Sequence, residues 1–113
     1  MKEGDIILTP LPQADGKVKN RPAIYLREMP PFRDALVCGV STQSHQLAPD
    51  FDELITSQDS DFSSSGLVSD SLIRLGFLAV LPRRNIIGSI GSISLERHRR
   101  LLHRLSEYLV KTP

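Results

Sequence analysis

Tryptophan is absent from this chain of 113 residues, cysteine occurs once, and aromatic residues make up only 5%. The lone Cys38 excludes an intramolecular disulfide and fits a reducing compartment. The other soft ligands, His45, His98 and His103, are scattered along the chain, so neither a metal cluster nor a cofactor is expected. Apolar runs such as Phe77-Leu78-Ala79-Val80-Leu81 fall far short of the ~20 residues that cross a membrane. The first residues, Met1-Lys2-Glu3-Gly4-Asp5-Ile6, carry charge where a signal peptide needs an apolar stretch. Also missing are a glycine-rich phosphate loop, a nucleophile elbow and a Cys/His pair. These absences exclude several enzyme classes and leave a soluble, cytoplasmic protein as the expectation.

What is present fits a single domain over residues 1–113. Forty per cent of the residues are hydrophobic, and a chain of this size buries roughly 65% of its unfolded surface without staples. The net charge of +1 hides a strong asymmetry. Residues 1–33 are net +2, residues 34–73 contain no Lys or Arg and are net −7, and residues 74–113 are net +6. An acidic middle between basic flanks creates a local field that the total conceals. Two readings stay open: a solvated acidic loop beside a basic helix, or a polyanion site on the basic flanks with the acidic segment as rim or lid.

The first two-thirds reads as short strands. Ile6-Ile7-Leu8 predicts one, and polar residues 13–20 around Asp15-Gly16 predict a loop or hairpin tip. Ala23–Leu26 predicts a second, closed by Pro30-Pro31. Ala35–Val40 is continuously apolar, as in a strand covered on both faces. Residues 44–66 form the longest irregular stretch, of a length that is often functional or mobile. Ser71–Leu75, Leu78–Leu81 and Ile86–Ile90 supply three more strands, the first two separated by Gly76. Six strands without helical crossovers predict a mainly β fold, a small and strongly curved sheet or barrel. Gly88 and Gly91 suit a bulge where the sheet curls.

A C-terminal helix follows, with Ser94 as N-cap and Glu96 in its first turn. Leu95, His98, Leu101, Leu102, Leu105, Tyr108 and Leu109 share one helical face, with His98 a half-buried packing residue. Arg97, Arg99, Arg100, His103, Arg104 and Glu107 share the other, which is expected to face solvent.

Three positions stand out for chemistry. Arg21 precedes Pro22, which restrains it to extended backbone and fixes where its side chain leaves the chain. Ser41-Thr42-Gln43 emerges from the apolar strand at a barrel rim. Taken alone, each fits an ordinary surface or loop role. Arg74 shares a strand face with Leu72, so it is either paired with a carboxylate or directed into a site. His45, just after the rim, is the one histidine placed to act as acid or base there.

The order Gly4-Asp5-Ile6, Lys19-Asn20-Arg21-Pro22-Ala23, Val40-Ser41-Thr42-Gln43, Ser65-Gly66-Leu67, Ser71-Leu72-Ile73-Arg74-Leu75 and Ile87-Gly88-Ser89-Ile90-Gly91 resembles the MazF/PemK (Kid) toxins of toxin–antitoxin systems over essentially the whole chain. The resemblance implies a small SH3-like curved β-barrel with a C-terminal helix, and a homodimer. It also implies metal-independent cleavage of single-stranded RNA at short sequences, blocked by a cognate antitoxin with an acidic, flexible segment. Residue by residue, Arg21 matches the family's catalytic arginine and Ser41 its catalytic threonine. Arg74 matches the arginine assigned as general acid or phosphate clamp, while Lys19, Thr42, Gln43 and His45 fall to RNA binding. The aspartate assigned as general base is replaced by Gly76, leaving Arg21, His45 or a carboxylate such as Asp70 as candidates, or a weak activity.

Arginine pairs match phosphate oxygens well and are poor bases. Slow turnover and salt-sensitive RNA binding are therefore expected. CcdB-type gyrase poisons share this fold, but resemblance to them calls for a C-terminal Trp, and this chain ends Val110-Lys111-Thr112-Pro113. The serious rival is an SH3-like RNA- or partner-binding module that lost catalysis with its base.

Overall fold

The computed structural model describes residues 1–12 and 15–113. Its strands are β1 (Asp5–Pro12), β2 (Val18–Met29), β3 (Asp34–Ser41), β4 (Glu53–Ile55), β5 (Ser71–Leu81) and β6 (Gly88–Ser92). A short helix α1 (Phe62–Ser65) lies between β4 and β5, and α2 (Leu95–Leu109) closes the chain. All pairings are antiparallel, in the order β4-β5-β3-β2-β1-β6, and the sheet curls into a half-barrel.

Period-two alternation gives the sheet two apolar faces. Ile6, Ile24, Leu26, Cys38, Val40, Ile73 and Leu75 turn to one side and pack with Leu101 and Leu105 of α2. Ile7, Leu11, Ala23, Tyr25, Ala35 and Val37 turn to the other, with Phe77, Ala79, Leu81 and Ile86 packed against them. The apolar run in β3 is therefore covered on both faces, as its composition predicts. Burial of each large aliphatic side chain in these clusters is worth about 1.5–3 kcal/mol.

Curvature comes from register shifts. Ile6 faces Gly91 while Ile7 faces Ser89, so Ile90 is the extra residue of a bulge in β6, where the glycines predict a bend. A second shift places Leu26 outside the β2–β3 ladder. The third is larger: Cys38 faces Leu78, but its neighbour Gly39 faces Arg74, leaving Leu75, Gly76 and Phe77 against a single step of β3.

The structure corrects several expectations. Ser71–Leu75 and Leu78–Leu81 are one strand, because Gly76 lies in a bulge and does not end the pairing. Residues 44–66 contain β4, α1 and a 3-10 turn at Ser44–Gln46 in place of a long irregular loop. Of the expected hairpin tip at 13–20, Gln13 and Ala14 lie outside the described residues, while β2 already begins at Val18.

The helix is capped as expected, the Ser94 hydroxyl accepting from the Arg97 N–H at 3.1 Å. Its faces differ from the wheel. His98, Leu101 and Leu105 are buried, but Leu95, Tyr108 and Leu109 at the two ends of α2 are exposed. Arg97, assigned to solvent, is buried at 5% exposure. The acidic segment packs against its side of the helix, and Glu53, Asp59 and Asp61 surround its guanidinium at 2.9–3.3 Å. His98 is a satisfied packing residue, its Nε2 2.8 Å from the Leu26 carbonyl oxygen.

Candidate active site

The sheet topology brings three strands together at one end. Ala23 of β2 faces Gly39 of β3, and Gly39 faces Arg74 of β5. Two residues from the Ala23–Gly39 pair, back along β2 and forward along β3, stand Arg21 and Ser41, which in an antiparallel ladder is the same end of the sheet. Arg21, Ser41, Gln43 and Arg74 line one cleft of about 230 Å³, with Leu11, Pro12, Gly39, Val40, Gln46 and Phe77 completing its walls.

The three residues singled out as catalytic candidates therefore converge, although 53 positions separate Arg21 from Arg74. Gln43 joins them. Lys19, Thr42 and His45 do not line the cleft: Lys19 is exposed on β2 opposite Leu11, Thr42 is exposed just past β3, and His45 is exposed in the turn that carries Gln46. Sequence reasoning missed Phe77, Gln46 and Gly39. Gly76 in an apolar strand was the available signal, since an interior glycine marks a bulge.

The cleft's chemistry is cationic and hydroxylic. Among the described residues, two guanidinium groups line it and no carboxylate does. The alternatives left for Arg74 resolve towards the site: no carboxylate forms an ion pair with it among the described residues, and its Cζ lies 5.8 Å from the centre of the Phe77 ring. The Ser41 Oγ accepts the Gln43 backbone N–H at 3.0 Å, which fixes the oxygen and leaves its proton available to donate. Asp70 is engaged elsewhere, accepting from the Ser57 N–H at 3.0 Å. A side chain at position 76 would meet Phe51 and not the cleft.

The acidic segment is committed to the helix. Glu53 takes Arg97, Arg100 and Arg104 at 2.8–3.0 Å, and Asp61 takes Arg97 and the Ser94 N–H. Burial acts to raise both carboxyls, but the arginine hydrogen bonds and charges outweigh it, so both lie below their ordinary values. Arg97 is likewise raised despite its burial, through Asp61, Glu53 and Asp59. Asp52 accepts from the Ala48 and Leu75 backbone N–H groups at 2.9 and 3.0 Å. None of these four carboxylates lines the cleft, and of residues 44–66 only Gln46 does. Cys38 is no nucleophile here: burial pushes its thiol up to about 12.

A curled antiparallel half-barrel with a C-terminal helix and a cationic cleft at one sheet end defines a class of small, β-rich proteins. The family model for the PemK-like, MazF-like toxin of type II toxin–antitoxin systems matches residues 2–109, and the chain belongs to that family. An antitoxin partner is implied by that membership. No curated protein matches the chain. Among the described residues, no helix is long and apolar enough to cross a membrane.

Proposed function

We propose that this toxin is a metal-independent endoribonuclease that cleaves single-stranded RNA at short sequences in the cytoplasm. The observation that carries the reading is the convergence of Arg21, Ser41 and Arg74 on one cleft. In this reaction the 2′-oxygen attacks the adjacent phosphorus, the bond to the 5′-oxygen breaks, and a 2′,3′-cyclic phosphate and a 5′-hydroxyl result. Negative charge gathers on the non-bridging oxygens, where two guanidinium groups supply preorganised stabilisation. Arg74 clamps the phosphate and hydrogen-bonds the departing 5′-oxygen, Ser41 donates a hydrogen bond beside it, and the 5′-oxygen takes its proton from solvent.

The proton of the 2′-hydroxyl goes to solvent in this account, because the cleft offers arginines as its only titratable side chains among the described residues. Turnover is accordingly slow. Gln43, with Lys19, Thr42 and His45 around the rim, holds the RNA strand. The antitoxin covers the same cleft with an acidic, flexible segment, and the toxin acts as a homodimer over a single domain. Incubating the purified chain with a long single-stranded RNA and mapping its ends tests this reading.

Among the described residues no carboxylate or histidine lines the cleft, which favours a second reading, an RNA-binding module of the same fold without cleavage. Intact RNA with retained, salt-sensitive binding would select it.

A further inference from the structure

Strict alternation along β5 would put Arg74 and Gly76 on one face and Leu75 and Phe77 on the other. The bulge opposite the Cys38–Gly39 step breaks that pattern, and Phe77 lines the cleft beside Arg74. The ring rests on Gly39, where a Cβ would come within 3.1 Å of Phe77 Cδ1, tighter than ordinary contact. The absence of a side chain at 39 therefore makes room for the ring. The Arg74 guanidinium lies over that ring, its Cζ 5.8 Å from the centroid. This is within the range where a ring quadrupole attracts a cation.

The arrangement assigns each residue a task. A long arginine with no ion-pair partner among the described residues would otherwise sample many rotamers. The ring face restricts it, and a cation held over an aromatic face keeps its N–H groups open to an anion. With a face already covered by the guanidinium, Phe77 is committed to the arginine more than to stacking on a base.

We propose that Phe77 is the positioning residue of this site: it holds the Arg74 guanidinium in the orientation that receives the scissile phosphate, and Gly39 and the Leu75–Phe77 bulge exist to place the ring. The functional half of this inference rests on the phosphate-clamp role given to Arg74 above; the structural half does not.

The test pairs a spectroscopic readout with kinetics on the full chain. The Arg74 Nε–H resonance, assigned by its loss in Arg74→Lys, is expected at a ring-current-shifted position in the wild type. It should move to the ordinary arginine range in Phe77→Met, which keeps the volume and loses the ring, and remain shifted in Phe77→Tyr. Phe77→Leu is the second ring-less variant should the methionine variant fail to fold. In cleavage of a single-stranded RNA, the ring-less variant should lower kcat about 10-fold, with KM changed less than about twofold and Tyr recovering most of the loss. In an Arg74→Ala background the same change should have no further effect.

An unshifted Arg74 resonance in the wild type, equal losses in Met and Tyr, or additive losses in the Arg74→Ala background would each overturn the assignment. If the wild type cuts no RNA while the resonance still responds to Met and not to Tyr, the positioning stands and the ribonuclease reading falls.

Discussion

Arg97 of α2 grips Asp61 with a two-point hydrogen bond, Nε to Oδ2 at 2.9 Å and Nη2 to Oδ1 at 3.2 Å, across 36 positions of sequence. The contact explains the charge asymmetry of the chain. Much of the acidic middle is neither rim nor lid: Glu53, Asp59 and Asp61 are counter-charges for Arg97, Arg100 and Arg104 and tie the C-terminal helix to the β4–α1 segment. The cleft keeps its cationic character because these carboxylates are spent elsewhere.

Arg97→Ala should therefore be among the most damaging substitutions outside the core. It leaves the Asp61 carboxylate, at 6% exposure, without its main partner and takes one of three arginines from Glu53. Loss of one member of such a pair costs about 3–5 kcal/mol, so the thermal midpoint should fall by roughly 10 °C or more. A shift of only a degree or two in a melting curve would show that the network contributes little.

Acid should loosen the same network. The Glu53 and Asp61 carboxyls are lowered from 4.5 and 3.8. Because the folded values lie below the unfolded ones, the associated stability is fully present above the ordinary carboxylate range and is lost as pH falls through the folded values. Urea midpoints should be flat on this account from neutral pH to about pH 5 and fall steeply below pH 4. The fall should be smaller in Asp61→Asn.

Gly66 and Gly91 hold α1 against β6. Gly66 has φ of +75° and no room beside the Ile90 carbonyl, and a Cβ on Gly91 would strike the backbone of Ser64 and Ser65. Gly91→Ala should destabilise through overpacking by about 1–3 kcal/mol. Gly88→Ala, which meets nothing within 4 Å, serves as the control and should cost less than about 1 kcal/mol. Equal melting temperatures for the two variants would contradict this packing account.

Gly76→Asp should not accelerate RNA cleavage, since a side chain there is directed at Phe51 and not into the cleft. With solvent taking the 2′ proton, the cleavage rate should climb about tenfold per pH unit between pH 5 and 8 without a bell. A plateau in the pH profile that vanishes in His45→Ala would instead identify His45 as the base.

Much of this architecture was legible in the residues. The alternating apolar runs gave the strands, continuous apolarity marked β3 as doubly covered, and the Ser94 cap located α2. Arg21, Ser41 and Arg74 came from the family pattern, and the β2–β3–β5 register explains why they meet. What escaped reading depends on tertiary pairing. Arg97 looked solvent-facing because a helical wheel does not know that Asp61 lies opposite. Phe77 fell between two predicted strands because Gly76, a mark of the bulge, read as a strand break. Residues 44–66 looked irregular because β4 is only three residues long and forms by pairing with β5.

The most direct test is incubation of the purified chain with a long single-stranded RNA in EDTA, beside Arg74→Ala, with ends mapped by primer extension. The account predicts slow cutting at one short sequence by the wild type, reduced about 100-fold or more in Arg74→Ala. Equal cutting by both proteins, or RNA left intact by the wild type, would contradict it.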